Sequence, residues 1–518
     1  MQRLLKRLKS PSLKLATRPG SHRGYASAKR PANGPRPALD IKHIRQNPEL
    51  YETTCKERLY TAQASHPAKI IALSEQLVQL QHSGRGLRER ANLLRRVLAN
   101  PATLTDDSTL EDLKALSREE LHADARRIKE ELAAIVQSET DAQRTLEELA
   151  LQLPNLTSAE TPRGAAPRVL RYVNDRPLFD EEGRSSSSGS QHIWRSHVHI
   201  GAELGILDFA SAATASGWGW YYLVGAAAQL EQALVQYALA VVTRRPGWTP
   251  VAPPSVVYAH VAAACGFQPR DQHGEQQVYA LAQSAADAAA GAPARALTAT
   301  SEIALAAMKA GATLDAAELP LKRVAVSRCY RAEAGARGAS TRGLYRVHEF
   351  TKVEMVAWTR ADAAAAAAVF DEMLAVQSEI VAALGLHARV LEMPAHDLGA
   401  SAARKVDMEA WFPSRQEHSD GWGEVSSASI CTDYQTRRLQ TRARTGGHAA
   451  GGGAGGADVE FPWTLNGTAL AVPRILAALL EVGWDEKAKT VAIPECLRPW
   501  MDGRDKIGPP THRNKTSS

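Results

Sequence analysis

Residues 326–358 are VSRCYRAEAGARGASTRGLYRVHEFTKVEMVAW. VSRCYRAE has the composition of a strand, AGARGASTRGL supplies a soft glycine-bearing loop, and YRVHEFTKVEMVAW returns as a second strand. Side chains alternate across a strand, so Cys329, Arg331 and Glu333 are expected on one face. Arg346, His348, Phe350, Lys352 and Glu354 are expected together on the return. Two readings fit such a hairpin. Alternating charge is common on solvated strands. Equally, guanidinium forks grip phosphate oxygens, a flat ring can stack on a base, and carboxylates can hold an ammonium group. Spacing alone leaves a nucleotide-and-amine site and an exposed hairpin both open, although Phe350 is misplaced on a solvated face.

Outward from the hairpin, helical stretches (YYLVGAAAQLEQALVQYALAVV and TRADAAAAAAVFDEMLAVQSEIVAAL) are interspersed with strand-like pieces, VEFPWTLNG among them. Strands separated by long intervals in this order predict an α+β domain, an antiparallel sheet flanked by helices. RSSSSGSQ (184–191) and GGHAAGGGAGGAD (446–458) read as low-complexity loops, the latter a tolerated insertion, since no helix start follows it.

Upstream, Ile70, Leu73, Leu77, Leu80, Gly84, Leu87, Ala91, Leu94 and Leu98 step by three and four residues. Leu121, Ala125, Ile128, Leu132, Ile135, Glu139, Ala142, Leu146 and Leu149 repeat the pattern. Sustained heptads predict coiled coil, and the turn-like Asn100-Pro101 between the runs makes an antiparallel hairpin. Arms of roughly thirty residues reach about 45 Å. Arg85, Arg88, Arg90, Arg95 and Arg96 crowd the distal first helix, where they suit a nucleic-acid backbone or, equally, a solvated coiled-coil face within a dimer. PNLTSAETPRG then leads into the larger domain.

The chain carries 62 Lys and Arg against 56 Asp and Glu, but residues 1–39 hold ten of the bases and no acid. The remainder is slightly acidic, so the excess positive charge belongs to the N-terminus. That segment, MQRLLKRLKSPSLKLATRPGSHRGYASAKR, is basic, hydroxyl-rich and able to form a short amphipathic helix. Its features favour a mitochondrial import signal over a basic RNA-binding tail. The most apolar window, LVGAAAQLEQALVQYALAVV, carries Glu231 and three glutamines, so no membrane span is expected. Five cysteines lie scattered without a C-x-x-C, which excludes a disulfide framework or zinc knuckle as the organising principle.

CYRAEAGARGASTRGLYRVHEFTKVE resembles motif 2 of class II aminoacyl-tRNA synthetases, in the form found in seryl-tRNA synthetases. In order along the chain, TPVAPPSVV (249–257) resembles motif 1, TATSEIAL (298–305) the serine-binding loop, GEVSSASICTDYQTRR (423–438) the E-[IV]-S-S strand, and LNGTALAVPRILAALLE (465–481) motif 3. IPECLRPWMDG is similar to the family's ending, and the coiled-coil hairpin and PNLTSAETPRG fit it as well. The likeness runs from about residue 39 to 505. It implies a targeting presequence over 1–36, a tRNA-binding domain with a long helical arm over 37–160, and a class II catalytic domain over 161–518.

The implied reaction joins serine to ATP as seryl-adenylate, releasing pyrophosphate, and then passes the seryl group to the 3′ end of tRNA(Ser). Carried over residue by residue, Arg331 bridges the serine carboxylate and α-phosphate, Arg346 meets the γ-phosphate, and Phe350 and Arg474 sandwich adenine. Ala332, Glu333, Val347, Val425 and Ser426 complete the ATP site. Glu424 and Ser427 are the implied Mg²⁺ ligands, with Arg331, Glu424 and Arg474 the catalytic set. Thr300 and Glu302 take the serine ammonium group, Ser301 between them belongs to the serine site, and Glu354 and Thr468 take the serine hydroxyl. Arg85, Arg88, Arg95 and Arg96 are the implied tRNA contacts, in a homodimer of the mitochondrial matrix. Departures from the family pattern are Tyr330 for phenylalanine, Ala339-Ser340 for Arg-Asp in the motif 2 loop, Pro473 for glycine, and Gly84 in the heptads. The competing expectations are a catalytically silent RNA-binding relative and a ligase that charges a carrier protein, the latter disfavoured by the long arm.

Overall fold

The computed structural model describes residues 34–99, 113, 116–174, 195–267, 277–333, 343–415, 420–445 and 459–509. Residues 1–33 of the expected presequence, the expected turn at Asn100-Pro101, Ala339-Ser340 and both expected low-complexity loops lie outside the described residues. The heptad runs form helices α1 (His66–Ala99) and α2 (Arg118–Leu151). Ser117 starts α2 with a reciprocal capping box: its hydroxyl accepts from the Glu120 amide, and the Glu120 carboxylate accepts from the Ser117 amide at 2.7 Å. Leu94 and Val97 pack with Leu121 and Ile128 at one end, and Ile70 packs with Leu146 and Ala150 at the other, so the helices are antiparallel.

The weak heptad position, Gly84, has a reason in the packing. Arg88 reaches across to Glu139 at 2.8 Å, and a side chain at Gly84 would press on the Arg88 guanidinium. Glycine leaves room for this polar pair beside the seam. Arg90 likewise crosses to Asp124. The base of the hairpin, with short helices Ile41–Gln46 and Pro48–Glu57, packs against Ala400 and Tyr434 of the larger domain. PNLTSAETPRG is bound to that domain along its length. Asn155 Nδ2 donates to the carbonyls of Ser401 and Cys431, both at 2.8 Å, and the buried Arg58 donates to the carbonyls of Asn155 and Gly399.

The larger domain is built on an eight-stranded sheet. Its strands are β1 (Arg168–Val173), β2 (Trp248–Val251), β3 (Leu321–Tyr330), β4 (Glu349–Thr359), β5 (Ala388–Glu392), β6 (Arg404–Trp411), β7 (Trp422–Thr432) and β8 (Trp463–Ala471). They lie in the order β1-β5-β6-β7-β8-β4-β3-β2, antiparallel throughout except for the edge pair β2 and β3. Helices α3 (His197–Glu203), α4 (Ala226–Thr243), α5 (Ser301–Ala307), α6 (Ala363–Ala383), α7 (Tyr434–Leu439) and α8 (Val472–Val482) surround it.

Strand β4 settles the two readings of the hairpin. Ten of its eleven residues are buried, so it is no solvated edge. Val353, Met355 and Ala357 enter the main core with α4, α6 and α8. Val356 and Trp358 face the other way, packing with Leu305 of α5, and Glu354 shares their side by alternation. The ladder is shorter than the sequence reading: it ends at Tyr330 paired with Glu349. Arg331 and Arg346 lie just beyond it, placed by turn geometry, with Glu333 left-handed at φ 45° and a 3₁₀ turn over Gly343–Tyr345.

Candidate active site

One cavity is lined by Arg331, Glu333, Arg346, Val347, Phe350, Glu424, Val425, Ser426, Ser427, Thr468 and Arg474. Residues from four separated segments of sequence meet there because β3, β4, β8 and β7 are neighbours in the sheet. Cys329 lies opposite Phe350, and the two pack with Val347 as a small apolar floor. The Arg331 guanidinium sits 5.2 Å from the centre of the Phe350 ring. Arg346 pairs with Glu333 at 3.2 Å.

Arg474 enters from the first turn of α8, where Pro473 occupies an early helical position that needs no amide hydrogen. Its Nη1 donates to the Glu424 carbonyl at 2.9 Å and contacts Glu424 Oε2 at 3.2 Å, while its Nε donates to the Tyr345 carbonyl. Desolvation pushes the Glu424 carboxyl up, but Arg474, Lys405 and Arg331 outweigh it and hold it well below the usual carboxylate range. Its neighbour Asp407, deeply buried beside Lys405, goes the other way, because desolvation prevails.

Glu424 and Ser427 are three positions apart, so regular alternation would send them to opposite faces. The register shows why they share one. Ser427 pairs with Asp407 and Ser426 with Met408, but Glu424 pairs with Glu409, leaving Val425 as an extra residue in β7. This bulge returns Glu424 to the Ser427 side. The Ser426 hydroxyl donates to the Thr468 carbonyl.

A second group of polar residues borders this cavity at greater depth. Thr468 lies opposite Glu354 in the β8–β4 ladder, and its hydroxyl donates to Glu354 Oε2 at 3.1 Å. Lys352 pairs with the same oxygen at 2.6 Å, and both charges are almost wholly buried. The loop before α5 is tied to the end of β3, since the Tyr330 amide donates to the Thr298 carbonyl at 2.9 Å. Thr300 caps α5 by accepting from the Glu302 amide, and the Ser301 hydroxyl is buried. Gln435 and Asn466 donate to Glu302 Oε1 at 2.6 and 2.8 Å. Desolvation and the nearby Glu354 charge push Glu302 up to about 7. Ala332 stands outside the cavity wall, its amide donating to the Gln277 carbonyl.

The arm arginines divide. Arg88 is committed to Glu139 across the hairpin, whereas Arg85, though paired with Glu89 in its own helix, is exposed, as are Arg95 and Arg96.

Several site residues carried no decisive sequence signal. Lys352 looked like one more strand charge. Tyr345 was part of a loop edge, yet its ring lies between two guanidiniums, Arg415 at 3.9 Å and Arg474 at 4.8 Å. Gln435 and Asn466 become visible only once α7 and β8 are brought to α5. The arrangement can hold a polyanion among arginines beside a stacking ring, with a small hydroxylated amine in the deeper polar group.

Residues 292–483 match the family model of the tRNA synthetase class II core domain (G, H, P, S and T), and residues 38–157 match that of the seryl-tRNA synthetase N-terminal domain. The chain is 40% identical over 370 residues to the mitochondrial serine–tRNA ligase of Saccharomyces cerevisiae, covering 71% of this chain and 75% of that one. It is 36% identical over 468 residues to the mitochondrial enzyme of Schizosaccharomyces pombe, covering 89% and 88%. Among solved structures, seryl-tRNA synthetase from Pyrococcus horikoshii complexed with ATP superimposes with a TM-score of 0.74 at 28% identity, covering 91% of this chain and 100% of that one.

Proposed function

The chain belongs to the seryl-tRNA synthetase family, and from that membership we propose how its own residues activate serine and charge tRNA(Ser) in the mitochondrial matrix. It is a serine–tRNA ligase of mitochondria, using ATP and releasing AMP and diphosphate. The observation that carries the residue assignments is the meeting of Arg331, Arg346, Phe350, Glu424 and Arg474 around one cavity, with Glu354 and Thr468 joined at its deep end.

Adenine lies between Phe350 and the Arg474 guanidinium, its edge toward Glu333 and the Val347 backbone. The triphosphate bends back so that Arg346 takes the γ-phosphate. Arg331 bridges the serine carboxylate and α-phosphate, aligning nucleophile with phosphorus and balancing the charge that builds as the fifth oxygen approaches. No covalent intermediate with the protein is needed. Glu302, with Thr300 and Ser301, receives the ammonium group, and Glu354 and Thr468 receive the hydroxyl. Alanine would leave that buried pair without its partner, and threonine would bring a methyl group against the walls.

A carboxylate and a hydroxyl on one face of β7 are oxygen donors that fit a hard cation, so Glu424 and Ser427 would hold Mg²⁺. When bound, that ion offsets triphosphate charge as diphosphate departs. The residues' own part is to keep Glu424 ionised, which Arg474, Lys405 and Arg331 do.

Residues 37–160 deliver tRNA, with the exposed Arg85, Arg95 and Arg96 turned to the RNA backbone and Arg88 holding the arm together. Residues 161–518 form the catalytic domain. A homodimer lets the arm of one subunit serve the site of its partner, and residues 1–36 direct import. The catalytically silent alternative finds no support, since the charge pairs of the cavity are intact. Serine-dependent ATP–pyrophosphate exchange, followed by charging of mitochondrial tRNA(Ser), tests the reading: both activities are expected, and exchange without serine specificity would overturn it.

A further inference from the structure

Two helical turns beyond Arg474, on the same face of α8, lies Glu481, fully buried. Its carboxylate gathers four donors. The His197 amide and His197 Nδ1 approach Oε1 at 3.1 and 2.7 Å, the Ser414 hydroxyl approaches the same oxygen at 2.7 Å, and the Ser414 amide approaches Oε2 at 3.1 Å. On the far side of the imidazole, Nε2 accepts the Leu344 amide at 3.0 Å. Because Nε2 is an acceptor, the ring proton belongs on Nδ1, where it donates to Glu481.

This pair does not touch the cavity that holds the arginines; it borders a neighbouring one that meets it at Tyr345 and Arg346. What it does touch is the turn delivering those two residues. Leu344 is held by His197, while Tyr345 is held by Arg474 through its carbonyl and by Arg415, next to Ser414, across its ring. The fit is close: Gly343 has φ 72°, and a side chain there would overlap the His197 ring. His197 is separated from Leu344 by 147 positions, so no local preference of the motif 2 segment supplies this support.

We propose that His197 is a positioning residue for ATP: oriented by Glu481, its imidazole fixes the Leu344 amide and thereby the turn that presents Tyr345 and Arg346 to the nucleotide. The proposal rests on the reading of that cavity as the ATP site. Without the acceptor, a buried amide loses its partner and the turn relaxes away from Arg474.

The test is steady-state serine-dependent ATP–pyrophosphate exchange with the full chain, comparing His197→Asn, His197→Gln, Glu481→Gln and Arg346→Ala. Asparagine keeps a donor where Nδ1 stands but has nothing at the Nε2 position; glutamine reaches far enough to accept from Leu344. His197→Asn should raise the KM for ATP about tenfold, as expected for an orphaned buried amide, with the serine KM within about twofold. His197→Gln should recover most of the loss. Glu481→Gln, whose single oxygen cannot accept from both the His197 ring and the Ser414 amide and whose NH2 must oppose one of them, should reproduce the ATP-selective defect. An unchanged ATP KM in His197→Asn or Glu481→Gln, an equal rise in both KM values, or a His197→Gln enzyme no better than His197→Asn overturns the proposal. If Arg346→Ala itself leaves the ATP KM unchanged, the ATP-site reading fails; if it raises that KM and His197→Asn does not, only the positioning role fails.

Discussion

Replacing Glu354 by glutamine isolates the term on which serine selection depends. The Glu354 carboxylate is 2% exposed, accepts the Thr468 hydroxyl at 3.1 Å, and faces Lys352 at 2.6 Å. Glutamine keeps the shape and one acceptor oxygen but removes the charge, so the substrate hydroxyl would donate to a neutral amide. A hydrogen bond to a charged group contributes roughly 1.5–3 kcal/mol, about twice a neutral one, and losing that advantage of roughly 0.75–1.5 kcal/mol lowers kcat/KM for serine by about 4- to 12-fold. ATP binding, supported by Phe350, Arg346 and Arg474, should keep its KM within about twofold, since only interactions with serine are removed. Pyrophosphate exchange at varied serine and varied ATP measures both terms. Thermal unfolding separates them from the folding penalty of leaving Lys352 without its carboxylate, a penalty that should be larger for Glu354→Ala because no acceptor remains. A serine kcat/KM within about threefold of the parent, or a parallel rise in the ATP KM, would remove Glu354 from the serine site.

Other outcomes follow from the same structure. Glu302 is raised to about 7 in the fold against an ordinary carboxyl near 4.5, so its folded form favours the proton. Its contribution to stability is therefore fully present below the unfolded value and lost as pH rises through about 7, while serine binding, which needs the anion, should strengthen over the same rise. Gln435→Ala removes a hydrogen bond that lowers this value, so the inflection in serine kcat/KM against pH should move upward; an unmoved inflection would detach Glu302 from it. Excising residues 81–141 leaves Ile70, Leu73, Leu77 and Leu146 at the base, and should preserve pyrophosphate exchange while abolishing tRNA charging. Changing Arg85, Arg95 and Arg96 together to alanine should weaken tRNA binding and flatten its salt dependence by up to about two to three logarithmic units of slope, whereas Arg88→Ala should mainly destabilise the arm.

Much of this architecture was legible in the chain because it rests on local periodicity. Three-four spacing defined α1 and α2, and the charged hairpin with its glycine-rich middle marked β3 and β4. The assignment of roles to Arg331, Phe350, Glu424 and Arg474 came from resemblance, and the structure brings these residues together. What alternation could not supply was position beyond the ladder. Arg331 and Arg346 fall outside the paired strands, and Glu424 joins Ser427 only through the bulge at Val425, which leaves no mark in EVSS. Long-range partners were equally hidden. Arg58 under PNLTSAETPRG, Gln435 and Asn466 on Glu302, and His197 between Glu481 and Leu344 each depend on segments far apart in sequence. Gly84 read as a weak heptad position, and packing explains it, since glycine leaves room for Arg88 to reach Glu139.

The most direct test is a structure of the full chain with a sulfamoyl analogue of seryl-adenylate. Adenine is expected between Phe350 and Arg474, the sulfamoyl group at Arg331, and the seryl hydroxyl within hydrogen-bond distance of Glu354 and Thr468. An analogue bound with its seryl group away from β4 and β8, or with adenine on any other ring, would contradict this placement.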